Sequence, residues 1–349
     1  MPVTRQQRFF YKTFSQHGFG SALVEVEPKD VVLLIHIAYL DIFESEPAWF
    51  SAPFCSLAKE GFYTITPEKV EALPGTSVEE AISYLQLSGA TNTENVIYLY
   101  LKNLSELWRR RFKFYNILKT QPFPLTEQIG PRCLLEYGNC EDALLFSWMS
   151  WRKLIYDIDN RSAQETGYLF EPILASCLGG ESVSHRHSPV KRIDDNGKPT
   201  VEGRQIDCYI EDSREAYELK LRVTIAASGQ GRFSEEMSFP YEARMAGLTP
   251  VLIVFDSTPS MLLDRLKAKY VEEGGRYAIG EDAWNMLTER AGREMGKYII
   301  KYIKPPISKM DEIRLAIPTA IQLVASENNI TISDNAGNCY SIPRNESTE

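Results

Sequence analysis

The fold of this chain turns on the stretch Arg204-Gln-Ile-Asp207-Cys-Tyr-Ile-Glu-Asp-Ser-Arg-Glu-Ala-Tyr-Glu218-Leu-Lys220-Leu-Arg-Val223. Its first half alternates, with Ile206, Cys208 and Ile210 on one face and Asp207, Tyr209 and Glu211 on the other, as in a half-buried strand. In the second half Tyr217, Leu219, Leu221 and Val223 form the apolar face, so Glu218, Lys220 and Arg222 point the other way. A turn centred on Asp212-Ser213 makes the hairpin symmetric about that pair and sets Asp207 directly across from Glu218. Asp-Ser is a weak two-residue turn, and a slip of one residue would send the carboxylates to opposite faces.

Side chains directly across an antiparallel ladder sit ~5 Å apart, and like charges there are destabilising. A divalent cation offsets them: Mg²⁺ is typically held by one or two carboxylates and keeps its other positions for water and phosphate oxygens. Lys220, on the same face, would orient an attacking water, help deprotonate it, or neutralise charge developing at phosphorus. The plainer reading is a solvated hairpin face that carries Asp, Glu and Lys for solubility alone. The stretch resembles the PD-(D/E)xK nuclease superfamily, with Ile206-Asp207 in the PD position and Glu218-Leu219-Lys220 as the ExK element. The proline of that motif is missing, and it carries none of the chemistry.

The surrounding pattern extends the resemblance. After Val223 a small-residue loop, Thr224-Ile-Ala-Ala-Ser228-Gly-Gln230-Gly-Arg232, leads to a helix predicted from about Phe233 to Ala246, a buried strand from Thr249 to Phe255 and a helix from about Ser260 to Glu273. Hairpin, crossover helix and returning strand make a mixed sheet. A further helix is expected from about Glu281 to Ile303, with Trp284, Leu287, Ala291, Met295, Ile299 and Tyr302 on its apolar face. Upstream, Ala163 to Leu178 is helical in pattern and stops at Gly179-Gly180. Enzymes of the resembling superfamily precede the first core strand with a helix whose Glu reaches the metal site. Glu171 fits their Gly-x-x-Phe-Glu spacing, Glu165 is the alternative, and either is otherwise simply exposed.

Composition bounds the reading. With 349 residues and 44% hydrophobic content the chain can bury one large core or two ordinary ones. The apolar run Val31 to Leu40 is far below the ~20 residues needed to span a bilayer, and the N-terminus lacks a signal-peptide layout, so a soluble, intracellular chain is expected. Six cysteines form no CxxC and are expected to be reduced and mostly buried. His185-Arg-His187 has no third ligand nearby and reads as a polar loop or strand face. A net charge of −9 excludes a basic, nonspecific DNA coat but not a locally basic cleft. Local sources are Arg109-Arg-Arg-Phe-Lys113, the group Arg186, Lys191, Arg192 and Lys198, and Arg222 with Arg232, although such runs commonly form a solvated helix face.

Residues 1–160 read as a mainly helical region for DNA recognition, dimerisation or support. Thr66-Pro67 and the capping box Ser77-x-x-Glu80 open helices, a long helix runs from about Thr93 to Leu118, and an aromatic-rich one from Cys140 to Asp157. Residues 161–305 form the core, and 306–349 a β-rich extension in which Asn329 to Ile342 is a hairpin.

The run Glu218 to Arg232, with Ser234-Glu-Glu-Met-Ser-Phe-Pro240 and Pro250-Val-Leu-Ile-Val-Phe-Asp256, is similar to type II restriction endonucleases of the ApaLI-like kind over roughly residues 160 to 305. The fold class is therefore α/β, a PD-(D/E)xK restriction-endonuclease-like core with its mixed sheet flanked by helices. The resemblance implies a homodimer that hydrolyses double-stranded DNA at a short palindromic site with Mg²⁺. It makes Asp207 and Glu218 metal ligands, Lys220 the group assisting water, and Glu171 a supporting carboxylate. Ser228, Gln230, Arg232 and Arg222 are the candidates for DNA contact, because flanking glycines permit close backbone approach. A structure-specific repair or junction nuclease of the same fold, and a non-catalytic DNA-binding protein, are the other readings.

Overall fold

The computed structural model describes residues 3–18, 23–194, 196–221, 230–313 and 321–344. Helix α1 (Arg5–Ser15) leads into a short antiparallel pair, β1 (Gln16–His17) and β2 (Val24–Glu25). The apolar run around His36 is α2 (Pro28–Phe43), whose residues from Val31 to Ala38 are all buried. There follow α3 (Ala52–Ala58), α4 (Pro67–Glu71) and α5 (Val78–Ser88). Thr66 and Ser77 start the last two as their sequences dictate: the Thr66 side chain accepts the Lys69 N–H, and Ser77 and Glu80 close a capping box. The long α6 (Val96–Thr120), one-turn α7 (Thr126–Ile129) and α8 (Asp142–Cys177) complete this part.

Helix α8 fuses two helices that the sequence suggested separately. The link Ile158-Asp-Asn-Arg-Ser162 contains neither glycine nor proline, so nothing interrupts the backbone ladder there. The helix ends where expected, with Gly179 at φ 80°, a left-handed position that favours glycine.

Next come β3 (Glu181–Val183), the ribbon β4 (Lys191–Ile193) and β5 (Pro199–Gly203), and the central hairpin β6 (Ile206–Ile210) and β7 (Glu215–Lys220). Helix α9 (Gln230–Met245), strand β8 (Thr249–Val254), helix α10 (Met261–Glu272) and strand β9 (Arg276–Ile279) alternate after it. The single helix expected from Glu281 to Ile303 is instead α11 (Glu281–Arg290), α12 (Gly292–Tyr298) and a π turn, Ile299–Ile303, before α13 (Lys304–Ile313). Gly292 at φ 68° marks the break, because an L residue resists that conformation. The terminal hairpin is present as β11 (Asn329–Asp334) and β12 (Cys339–Pro343), with β10 (Ile321–Ala325) added at the other edge of β11.

The five-stranded sheet has the order β3-β6-β7-β8-β9, antiparallel through β7 and parallel from β7 to β9. Helices α9 and α10 are its crossovers, as parallel neighbours require. Ala216, Leu252 and Val254 pack with Phe239 and Ala243 of α9 and with Leu263, Leu266 and Tyr270 of α10. On the opposite side the Cys208 thiol lies 3.7 Å from the Ala175 carbonyl of α8, and Phe255 meets Trp284 of α11 at 4.4 Å between ring centres. The sheet is thus mixed and flanked by helices.

The chain groups into two compact units. One comprises Met1–Ser15, Glu27–Glu106 and Tyr168–Pro306 and contains the five-stranded sheet. The other comprises Gln16–Val26, Leu107–Gly167 and Ile307–Glu349, with a core of Leu118, Ile330 and Ile342. Of the six cysteines, all free, Cys55, Cys177 and Cys208 are buried; Cys140 and Cys339 are exposed, contrary to the expected burial, because they sit at a helix approach and on an edge strand. Among the described residues no helix is long and apolar enough to cross a membrane.

Candidate active site

The hairpin has the register its alternation demands. Cys208 pairs with Tyr217, Tyr209 with Ala216 and Ile210 with Glu215, so one further step places Asp207 opposite Glu218. The connection spans 211–214 rather than two residues, but it keeps the same centre. Arg214 closes it in the left-handed region at φ 53°, donating its N–H to the Glu211 carbonyl at 3.1 Å. That resolves the weakness of Asp-Ser as a tight turn: a longer loop supplies the reversal without a slip.

Asp207, Glu218 and Lys220 consequently share one face. Asp207 accepts the Leu219 N–H at 2.9 Å through Oδ2, which fixes its carboxyl against the neighbouring strand. Lys220 Nζ lies 3.3 Å from Glu218 Oε1 and 3.1 Å from Glu236 Oε1 of α9. From α8, Glu171 reaches the same neighbourhood and interacts electrostatically with Glu218 and Lys220. Burial, and then the charges of Glu218 and Glu171, push the Asp207 carboxyl well above the ordinary carboxylate range. Glu171 is raised for the same reasons, burial first and Glu218 second. Burial opposes the charge on Lys220, yet Glu218, Glu236 and Asp207 together outweigh it and hold the ammonium above its usual pKa.

Four carboxylates face one ammonium, so the cluster carries excess negative charge within a partly dehydrated space. Every donor is a hard carboxylate oxygen. Among the described residues no three His, Cys, Asp or Glu side chains are gathered closely enough to enclose an ion by themselves. The arrangement therefore suits a cation that takes two carboxylates and keeps open positions, and does not suit a closed zinc cage.

The structure brings Asp207, Glu218, Lys220 and Glu171 together, and the alternative Glu165 pairs with Lys113 at 3.4 Å. Glu236 is the member that sequence reasoning missed. Its only signal was the acidic pair early in the helix after the ExK strand, and such pairs commonly just complement a helix N-terminus. Arg222 and Ser228 lie outside the described residues. Gln230 and Arg232 fall in the first turn of α9, and their side chains likewise lie outside what is described.

Of the other cationic candidates, Arg186 and Lys198 are exposed, whereas the Arg109 run and Arg192 are engaged within the fold. Arg109 is buried, and Arg111 stacks 3.8 Å from the Trp108 ring, so the run from Arg109 to Lys113 is not an exposed helix face. Arg192 pairs with Glu202 at 3.3 Å and Glu235 at 3.4 Å. His185 and His187 are exposed in a turn, and His187 Nδ1 lies 3.3 Å from the Ser184 hydroxyl.

Comparison with known proteins places the region that holds this cluster within a known family. The family model of ApaLI-like restriction endonucleases matches residues 64–304, which include all five clustered side chains. The type II restriction enzyme ApaLI of Acetobacter pasteurianus is 47% identical over 235 residues, covering 66% of this chain and 62% of the relative. The chain thus spans somewhat under two thirds of that relative's length. No solved structure matches it. With more than half of its residues inside the family match, this chain belongs to the ApaLI-like restriction endonuclease family.

Proposed function

We propose that this chain is a type II restriction endonuclease, a Mg²⁺-dependent, site-specific deoxyribonuclease built on a PD-(D/E)xK core. The observation that carries the reading is the placement of Asp207 across from Glu218 with Lys220 on the same face. The relative's description as a type II restriction enzyme supports it.

In this reading Asp207 and Glu218 are the metal ligands, and Glu171 supports them from α8. The excess of negative charge and the all-oxygen donor set fit Mg²⁺, which is bound through one or two carboxylates. When bound, such an ion supplies Lewis-acid charge to phosphate oxygens. The chain's own contribution is orientation and proton handling. The Leu219 N–H fixes Asp207 Oδ2, and the Lys220 ammonium sits where it can align an attacking water and offset negative charge on the phosphate.

The substrate is double-stranded DNA with a short palindromic site, read by a homodimer, because a twofold protein presents one surface to each half-site. Arg222, Ser228, Gln230 and Arg232 remain the proposed DNA contacts. Exposed apolar side chains support a second copy as partner: Leu134, Leu135 and Tyr137 are mostly exposed, and the half-exposed Trp148 joins them by donating to Glu136 at 3.2 Å.

Digestion of a sequenced phage genome with Mg²⁺, followed by end sequencing, tests the whole reading. Discrete ends at one short palindrome are expected. Ends that track junctions or damage would assign a structure-specific nuclease, and DNA binding with no Mg²⁺-dependent cleavage would leave a binding protein.

A further inference from the structure

Lys220 has two carboxylate partners, and they are held differently. Glu218 stands two residues away on the same strand and faces Asp207, so a cation shared by those two would draw its oxygens away from the lysine. Glu236 comes from α9, whose position is fixed independently of the site. Arg204 donates to the Glu235 carbonyl and pairs with Glu242 at 3.1 Å, Glu242 accepts the Ile193 N–H at 3.2 Å, and Phe239 and Ala243 lie in the core beneath the sheet. Glu236 Oε1 sits 3.1 Å from Lys220 Nζ, while its Oε2 is buried without a hydrogen-bond partner. Among the described residues, that carboxylate's hydrogen-bond partner is therefore the lysine.

We propose that Glu236 is a positioning residue, the clamp that keeps the Lys220 ammonium over the Asp207–Glu218 pair once Glu218 is engaged by metal. This rests on the nuclease reading above. A strand lysine has a long flexible stem, and its precision as a catalytic group depends on what holds its end. Glu236 supplies that hold from a second, rigid element, so alignment survives when the first carboxylate turns away.

The test uses the full chain and compares Glu236→Gln, Glu236→Ala and Glu218→Gln in single-turnover cleavage over a Mg²⁺ titration, with duplex affinity measured in Ca²⁺. Losing a charge-assisted hydrogen bond in the transition state is worth roughly 10- to 100-fold in rate. Glu236→Ala should show that loss at saturating Mg²⁺, and Glu236→Gln, which retains an acceptor oxygen, a smaller one. Both should leave the Mg²⁺ midpoint and duplex affinity unchanged, whereas Glu218→Gln should raise the midpoint. A second readout needs no turnover: modification of Lys220 by an amine-selective reagent, located by mass spectrometry, should quicken in Glu236→Gln with Mg²⁺ present. A Glu236→Ala defect cured by excess Mg²⁺ would make Glu236 a ligand and overturn the clamp, as would normal cleavage by folded Glu236→Ala. Normal cleavage by Lys220→Ala sinks the nuclease reading itself; a crippled Lys220→Ala beside an unimpaired Glu236→Ala sinks only the clamp.

Discussion

Two antiparallel hairpins in this chain have four-residue connections yet treat their facing polar side chains in opposite ways. In β11–β12, Thr331 faces Ser341 and their hydroxyls lie 2.9 Å apart; the Ser341 hydroxyl also donates to Asn329 Oδ1 at 2.9 Å. Its turn is equally self-sufficient, since Asp334 accepts the N–H groups of Ala336 and Asn338 at 2.8 and 2.9 Å. The Asn338 side-chain amide and these N–H groups hold the Asp334 carboxyl below the usual range. In β6–β7 the facing pair is Asp207 and Glu218, two carboxylates, and burial drives Asp207 in the opposite direction. A polar pair that satisfies itself belongs to the fold. A pair that repels itself at the same geometry calls for something from outside.

Removing that outside component should give the largest effect. Chelation with EDTA is expected to abolish cleavage, and Ca²⁺ should restore duplex binding without turnover, because it occupies oxygen sites with looser geometry than Mg²⁺. Full cleavage in EDTA, followed on a gel, would erase the distinction between the hairpins. Lys220→Ala comes next. General acid-base assistance is worth roughly 10²- to 10⁴-fold, with electrostatic stabilisation adding to it, so single-turnover cleavage should fall to the upper end of that range while duplex binding persists.

The β6–β7 site was legible because its determinants are local. Alternation fixes which side chains share a face, and a turn symmetric about Asp212-Ser213 fixes the register even though the loop is longer than a tight turn. Glu171 was legible through its spacing from Phe170 and Gly167 in the resembling enzymes. Glu236 was not, because its membership depends on how α9 is pinned by Arg204, Arg192 and the core, which is long-range information. Likewise β9 has only four residues after Gly274-Gly275, too few for periodicity to register, and it is a strand because β8 offers it a parallel edge. The break at Gly292 was hidden by apolar spacing that continued across it.

Asp207 has a raised folded-state pKa, so the stability linked to its neutral form is complete below the unfolded value and is lost as pH rises through the folded value. The contribution of Asp207 to the stability of metal-free protein should therefore fall as pH rises above the unfolded carboxylate value. Asp207→Asn, which is uncharged throughout, should flatten that decline in EDTA and raise the neutral-pH Tm by about 2–4 °C per kcal/mol relieved. Differential scanning calorimetry across pH checks this, and a Tm for Asp207→Asn below wild type at neutral pH would show that Asp207 is already satisfied by its neighbours.

The smallest effect belongs to the other hairpin. Ser341→Ala removes one hydroxyl that lies 2.9 Å from both Thr331 and Asn329, on an exposed strand face where water can replace it. The net worth of such a bond is about 0.5–1.5 kcal/mol, and solvent access places this one at the low end. Urea unfolding should show that modest loss, and cleavage at saturating Mg²⁺ should equal wild type. Glu218→Gln, made at the corresponding face of β7, reverses both signs: it relieves like-charge repulsion in metal-free protein, so stability in EDTA should hold or rise, while cleavage needs more Mg²⁺ than in wild type. A Ser341→Ala variant that lost cleavage while remaining folded would give the terminal hairpin a role in the reaction and dissolve the contrast between a hairpin complete in itself and one completed by a ligand.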